Sequence, residues 1–446
     1  MLVVAAAAPG AQGAEQPTDP IGRECTLPAG ALSFPAAVDY TLCRNPTTRG
    51  AWAASRAQAA ALGVAKSAWY PSLTATGSES RTTGQHYDSA GNYVDQTLNT
   101  GDATLALSWT LYDFGGRTGR IDSARRLYEA SGATANSVVQ QTVRAVVQSY
   151  YGVVAADANL VAATTTEQAN AKSLEVARTL QQGGVGTTAD VLQAQTAHDQ
   201  AALTLVQAEA TTRTARGTLA VTLGLTADRP LVLDADPVPA QVPALSARMA
   251  DLMAEAARQR PDLAAAQAQR EAAAADVRVA RSAGLPLFTV GAQKSWINTT
   301  DLPNQNYRQF GVTVTVPIFT GFSTVYGVRQ AKATLNERAE SAEQVRLNVS
   351  LDVWNAYYGL DSANKQLAAT AAPNKTAEDN QQVALGRYQS GVGTIIDVLT
   401  AQSAAASARE QRINAELGWK VARAQLAFAL GRLTSAAPLA GSSALP

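Results

Sequence analysis

A twelve-residue phrase occurs twice in this chain. Gly184-Val185-Gly186-Thr187-Thr188-Ala189-Asp190-Val191-Leu192-Gln193-Ala194-Gln195 returns 207 residues later as Gly391-Val392-Gly393-Thr394-Ile395-Ile396-Asp397-Val398-Leu399-Thr400-Ala401-Gln402. In a chain of 446 residues, a repeat at that distance means one structural unit built twice. The copy reaches further. Tyr150-Tyr151-Gly152 recurs as Tyr357-Tyr358-Gly359 at the same offset, and upstream the offset becomes 215, where Ala65, Pro71 and Leu73 match Ala280, Pro286 and Phe288. Eight extra residues therefore lie in the first copy between Pro71 and Leu111. Asn45-Pro46 and Arg260-Pro261 open the two units, and with no third copy the pattern is a duplication and not a solenoid.

Within each unit two periodicities alternate. Leu105, Leu107, Trp109 and Leu111 alternate with Thr104, Ala106, Ser108 and Thr110; Phe310, Val312, Val314, Val316 and Ile318 alternate with Gly311, Thr313, Thr315 and Pro317. Both are strands with one apolar face. Weaker strands precede them, at Leu73-Ala75-Gly77 and Phe288-Val290-Ala292, so each unit holds one hairpin. The polar stretches 80–102 and 297–308 read as exposed loops. Elsewhere, Val139, Val143, Val146, Tyr150, Val153 and Leu160 follow the spacing of a coiled-coil-like helix, as do Val353, Tyr357, Leu360 and Leu367. The proline-free run of about sixty residues from Ile121 to Gln182 would give roughly 90 Å of helix.

The resulting division is a signal remnant over 1–14, an N-terminal segment with a cysteine pair over 15–44, repeat 1 over 45–229, a linker with a short helix over 230–259, repeat 2 over 260–433, and a tail over 434–446. Repeat 1 carries strands at about 70–80 and 103–113, a long helix at about 116–182 and a return helix at 187–223. Repeat 2 carries strands at about 285–296 and 309–319, a long helix at about 322–389 and a return helix at 394–430.

Composition excludes several functions. Thirty-six basic and thirty-six acidic residues leave no net charge, which argues against a nucleic-acid partner. No stretch of 18 apolar residues forms a transmembrane helix. The two cysteines, Cys25 and Cys43, form a disulfide if the chain is exported, or else stay as buried thiols. His86 and His198 are isolated, so no metal or catalytic constellation is expected and no cofactor is implied. Gly183-Gly184-Val185-Gly186 lacks the lysine of a phosphate loop.

Four strands cannot close a barrel, and an open apolar hairpin sheet is untenable in water or lipid. Strands of about ten residues with one lipid-compatible face suit a membrane barrel built by pooling chains, eight strands from two or twelve from three. The proposed lipid-facing residues are Leu105, Leu107, Trp109, Leu111, Phe310, Val312, Val314 and Val316.

The duplicated Gly-x-x-x-x-x-Asp-Val-Leu-x-Ala-Gln pattern, the strand-proline junctions and the alternating elements resemble the TolC-like outer-membrane efflux and secretion ducts of Gram-negative bacteria, over about Leu32 to Leu433. The resemblance implies a mainly α chain with membrane β. Three copies would form a twelve-stranded β-barrel continuous with a twelve-helix periplasmic α-barrel. The N-terminal features (Cys25, Cys43, Asn45-Pro46 and the Ala-rich run 51–60) resemble the non-lipidated branch that serves type I secretion, which includes the secretion duct of the RTX toxin cyclolysin. The implied partners are a periplasmic adaptor (membrane fusion) protein, an inner-membrane ABC transporter and outer-membrane lipid. Multidrug or metal efflux with a proton-driven pump is the alternative, and a soluble helical scaffold a remote one.

The resemblance also gives the repeated phrase a role. The turns at Gly184, Val185, Gly186 and Thr187, and at Gly391, Val392, Gly393 and Thr394, become periplasmic tips where the adaptor docks. Asp397 would ring the aperture, with Thr400 where relatives often carry a second aspartate. Tyr388 and Asp190 would hold the tip closed. The closing arginine of relatives falls on Gly393 here, which leaves Arg387 as the substitute. Locally, glycine ends one helix, and Thr187 or Thr394 caps the next with an aspartate three residues on.

Overall fold

The computed structural model describes residues 25–27, 30–87, 89–234, 248–300 and 303–433. The expected signal remnant, the expected tail and the linker prolines Pro237, Pro239 and Pro243 fall outside the described residues. The element order is α1 (Phe34–Arg44), α2 (Pro46–Ser67), β1 (Ser72–Tyr87), β2 (Tyr93–Tyr112), α3 (Gly116–Gln182), α4 (Thr188–Thr222), α5 (Met249–Gln259), α6 (Pro261–Ser282), β3 (Leu287–Thr299), β4 (Gln305–Thr315), α7 (Ser323–Gln389) and α8 (Ile395–Ala429). The duplication shows in the lengths: α3 and α7 have 67 residues each, and α4 and α8 have 35 each. It also reaches further upstream than residue matches alone reveal. Helices α1 and α5, both of 11 residues, start 215 residues apart, and so do the 22-residue α2 and α6.

Two compact units emerge. One comprises Ala54–Gly132 and Ala265–Glu343; the other comprises the described residues of Thr18–Ala53, Ala133–Ala264 and Gln344–Pro446.

The first unit contains a four-stranded antiparallel sheet in the order β1-β2-β3-β4. Both hairpins pair internally, and β2 pairs β3 across the duplication, so only β1 and β4 are left as edges. The strands of the first hairpin are longer than the sequence suggests. The stretch read as a loop is ladder: β1 runs on to Tyr87 and β2 begins at Tyr93. Polar residues hid this extension, because a ladder needs backbone donors and acceptors and not an apolar face. Its Thr82, Thr83, Thr97 and Thr100 favour extended backbone, and Tyr87 and Tyr93 stack edge-to-face at 4.8 Å beside the turn. In the second hairpin β3 extends to Thr299 and β4 starts at Gln305, which shortens the expected 297–308 loop.

Register fixes the faces. Leu73, Leu107, Ala292 and Phe310 lie in one cross-strand row, and Trp109, Val290 and Val312 in the next. Two of the residues proposed to face lipid sit outside regular alternation. Leu111 is the extra residue of a β-bulge, because the register passes from Thr110↔Thr289 to Tyr112↔Phe288. Val316 follows the end of β4, where Pro317 cannot donate to a ladder.

The β2-to-α3 joint is built from a buried cation. Arg117 is 4% exposed and donates to the carbonyls of Thr110 (2.7 Å) and Leu111 (2.8 Å), while its guanidinium lies 4.2 Å from the Trp69 ring centroid. Asp113 faces it and accepts the Arg117 backbone N–H at 2.6 Å. The chain turns there through left-handed Phe114 (φ 50) and Gly115 (φ 90).

The second unit is packed around small and β-branched side chains. One core sets Phe34, Ala37 and Val38 against Val143, Val146, Tyr150, Leu219 and Phe428. Tyr150 is fully buried, and its hydroxyl donates to the Leu32 and Asp234 carbonyls at 3.0 and 3.1 Å. Cys25 and Cys43 are disulfide-bonded with Cα atoms 6.0 Å apart, which fastens the residues before α1 to that helix. A second core places Leu252 and Ala256 of α5 on Val349, Val353, Leu360 and Trp419. The α1 and α5 copies thus do equivalent work, each covering one long helix. Among the described residues no helix is long and apolar enough to cross a membrane.

Candidate functional site

The duplicated phrase forms two nearly identical helix-to-helix turns. Helix α3 ends where Gly184 (φ 76) adopts the left-handed conformation, and Val185 N–H and Gly186 N–H both donate back to the Leu180 carbonyl, at 3.0 and 2.9 Å. Helix α7 ends the same way at Gly391 (φ 73), with Val392 and Gly393 N–H donating to the Arg387 carbonyl at 2.9 and 3.1 Å. These bonds satisfy carbonyls that a helix end would otherwise leave open. The last glycine of each turn, Gly186 or Gly393, sits where an added side chain would have little room. A Cβ on Gly186 would lie 3.0 Å from Gln181 N, and one on Gly393 would lie 3.3 Å from Arg387 Cβ. Gly393 is thus part of the turn's packing, where a larger side chain would crowd Arg387.

The return helices then start with reciprocal caps. Thr187 accepts from Asp190 N–H at 3.2 Å while Thr187 N–H donates to the Asp190 carboxylate at 2.9 Å. The second copy repeats this with Thr394 and Asp397, and there the Thr394 hydroxyl also donates to the carboxylate at 2.9 Å. Such capping boxes satisfy two helix-start donors at once. They also hold the Asp397 carboxyl below its ordinary range, first through the Thr394 backbone N–H, then through its hydroxyl, with Arg387 adding a smaller pull.

Burial separates the two copies. Asp397 and Thr400 are exposed one turn apart on α8, whereas Ile395 and Val398 are buried. Asp190 is half-buried and lies close enough to Tyr388 to act on it. Tyr388 is buried among Leu174, Ala177, Ala194, Ile395 and Val398, so the two turns share one small core. Burial pushes its phenol pKa up, and the Asp190 carboxylate pushes it further the same way. Its hydroxyl has no hydrogen-bond partner among the described residues. The structure therefore brings Tyr388 and Asp190 together without closing a bond between them. Val185 and Val392 project from the tips at 73% and 71% exposure.

Two residues of this region escape a reading of the sequence. Gln402, the last residue of the second phrase, is buried and donates to Ser173 (2.8 Å) and to the Ala169 carbonyl (3.1 Å), tying α8 to α3. Its counterpart Gln195 instead accepts from Arg178 at 2.6 Å on an exposed face. The only signal was the repetition of the glutamine itself. His198 is not isolated, since its Nε2 lies 3.0 Å from Glu167 of α3. No cluster able to hold a metal occurs among the described residues, and the side chain of His86 lies outside them.

The model of the family described as outer membrane efflux protein matches residues 37–225 and 252–432, one match per repeat. Protein CyaE of Bordetella pertussis is 28% identical over 400 residues, covering 87% of this chain and 82% of the relative. The outer membrane efflux protein BepC of Brucella suis is 26% identical over 406 residues, covering 88% and 83%. In fold, the CmeC outer membrane channel of Campylobacter jejuni superposes with a TM-score of 0.78 over 90% of this chain and 86% of that one, at 18% identity. A chain matched in both repeats by one family model is a member of that family: this protein belongs to the outer membrane efflux proteins, which are channels of the outer membrane and not enzymes.

Proposed function

We propose that three copies of this chain form the passive exit duct of a tripartite type I secretion system, carrying a protein substrate of the RTX class across the periplasm and outer membrane. The observation that carries this reading is the similarity to Protein CyaE over 400 residues, which spans both repeats. The disulfide-fastened N-terminal segment supports it as well. Three hairpin pairs supply twelve strands, and the exposed β1 and β4 edges pair between copies. The valine-tipped turns dock an adaptor, which links the duct to an ABC transporter in the inner membrane. A second reading, efflux of small molecules by a proton-driven pump, is favoured by the similarity to BepC.

The two readings differ in the transporter captured with the assembly. A photo-crosslinking residue in place of Val185 or Val392 is expected to trap an adaptor, and mass spectrometry of the purified assembly to find an ATP-binding transporter. A proton-driven pump in its place selects the efflux reading, and the absence of any adaptor at both tips contradicts docking there.

The aperture role of Asp397 has its own test. In planar bilayers, Asp397→Asn is expected to move the cation-to-anion permeability ratio toward one and to weaken block by divalent cations, because an acidic ring concentrates cations. Unchanged selectivity together with unchanged block would remove Asp397 from the permeation path. Opening would proceed by small shifts of packed helices once an adaptor binds.

A further inference from the structure

On the apolar face of the sheet, one row departs from the pattern. Counting toward the hairpin turns, Leu73, Leu107, Ala292 and Phe310 form an apolar row; the next row is Ala75, Leu105, Lys294 and Arg308; and beyond it lie Gly77, Ala103, Trp296 and Asn306. Lys294 and Arg308 are direct cross-strand partners. Two like charges opposite one another destabilise a sheet unless something anionic lies between them. Neither forms an ion pair with a carboxylate among the described residues. Glu79, on the same face, stands two strands and two rows away, opposite Gly101. The Lys294 ammonium instead sits 4.4 Å from the centroid of Trp296, and Arg308 is exposed. Beneath the pair, Leu105, Leu107, Ala292 and Phe310 line a shallow depression of about 460 Å³.

The position of this row matters. From Val316 at the helix end to Arg308 is four two-residue steps, or about 27 Å along the strand and about 20 Å of height at the tilt of a barrel strand. An outward apolar band is about 25 Å tall and ends in an interfacial girdle of aromatic residues. Trp296, one row beyond, suits that girdle. Resting on the reading that this face meets lipid, we propose that Lys294 and Arg308 bind the phosphate of an outer-leaflet glycolipid, with an acyl chain lying over Leu107, Ala292 and Phe310. The chemistry is complementary at both ends: two charge-assisted donors for a phosphate, with tryptophan at headgroup level, above an apolar floor.

The test uses the full-length protein in detergent, titrated with bis-phosphorylated lipid A and followed by native mass spectrometry. The expected result is saturable retention of the lipid by the oligomer, lost roughly tenfold or more in K294Q/R308Q and kept in K294R/R308K. Variants that keep the oligomeric mass of the parent are folded and count. Equal retention by the glutamine variant, equal retention of dephosphorylated lipid A, or displacement by equimolar inorganic phosphate each overturns the proposal. A spin label at Val312→Cys in liposomes separates the two levels. A label in lipid with unchanged glutamine-variant binding refutes only the headgroup site, whereas a label in water refutes the lipid-facing reading beneath it.

Discussion

Arg117→Ala is expected to destabilise the assembled protein by about 3 kcal/mol or more, the range found when one member of a buried ion pair is removed. The magnitude follows from what the alanine would leave behind. The Thr110 and Leu111 carbonyls at the end of β2 would lose the guanidinium that satisfies them, Asp113 would lose the buried one of its two cationic partners, and Trp69 would lose the cation stacked on its face. The strand passes into the helix there through two left-handed residues. Arg120→Ala is the control. Arg120 reaches the same Asp113 carboxylate at 3.5 Å, but its side chain is 59% exposed, so its loss should cost under about 1 kcal/mol. The measurement is the temperature at which the detergent-purified oligomer dissociates. Equal shifts for the two variants would mean that Arg117 does not organise the joint.

Gly431→Ala is expected to cost a similar amount, about 3 kcal/mol, in the other unit. Gly431 ends α8 in the left-handed conformation (φ 76), and a Cβ there would lie 2.7 Å from the Gln259 carbonyl oxygen and 3.1 Å from Arg260 N. Those are backbone atoms at the α5–α6 joint, so no side-chain rotation relieves the clash. The Gly431 carbonyl also accepts from buried Gln140 at 2.8 Å, which holds the glycine against displacement. Gly391→Ala isolates the conformational part of this cost. Its φ is nearly the same at 73, but nothing lies within 4 Å of the added Cβ, so about 1 kcal/mol is expected. Denaturant unfolding followed by helical circular dichroism distinguishes them. Equal losses would show that the close approach at Gln259 relaxes without penalty.

How much of this was legible in the sequence varies with the physics of each element. The long helices were legible because a sustained apolar rhythm over many turns has no competing reading, and α3 and α7 occupy nearly the ranges it indicates. The caps were legible because a threonine followed three residues later by aspartate has a local mechanism, and both boxes form. The outer halves of β1 and β2 were not, since polar strand and polar loop look alike until the ladder is seen. The bulge at Leu111 was hidden for a related reason: alternation continues on paper through the point where register shifts. The different fates of Asp190 and Asp397 need burial, which the shared capping pattern does not encode; the core around Tyr388, which takes in Ile395 of the second copy, decides them. Arg117 and Gln402 are polar residues whose partners lie along the chain or across helices, and no periodic pattern announces them.

In the proposed assembly chains pool strands, with β4 of one copy pairing β1 of the next until twelve strands close. Native mass spectrometry of the particle extracted from outer membranes tests it most directly. A single species with the mass of three chains is the predicted result. A particle of two chains, which would close only eight strands, or a monomer released without detergent, would contradict it.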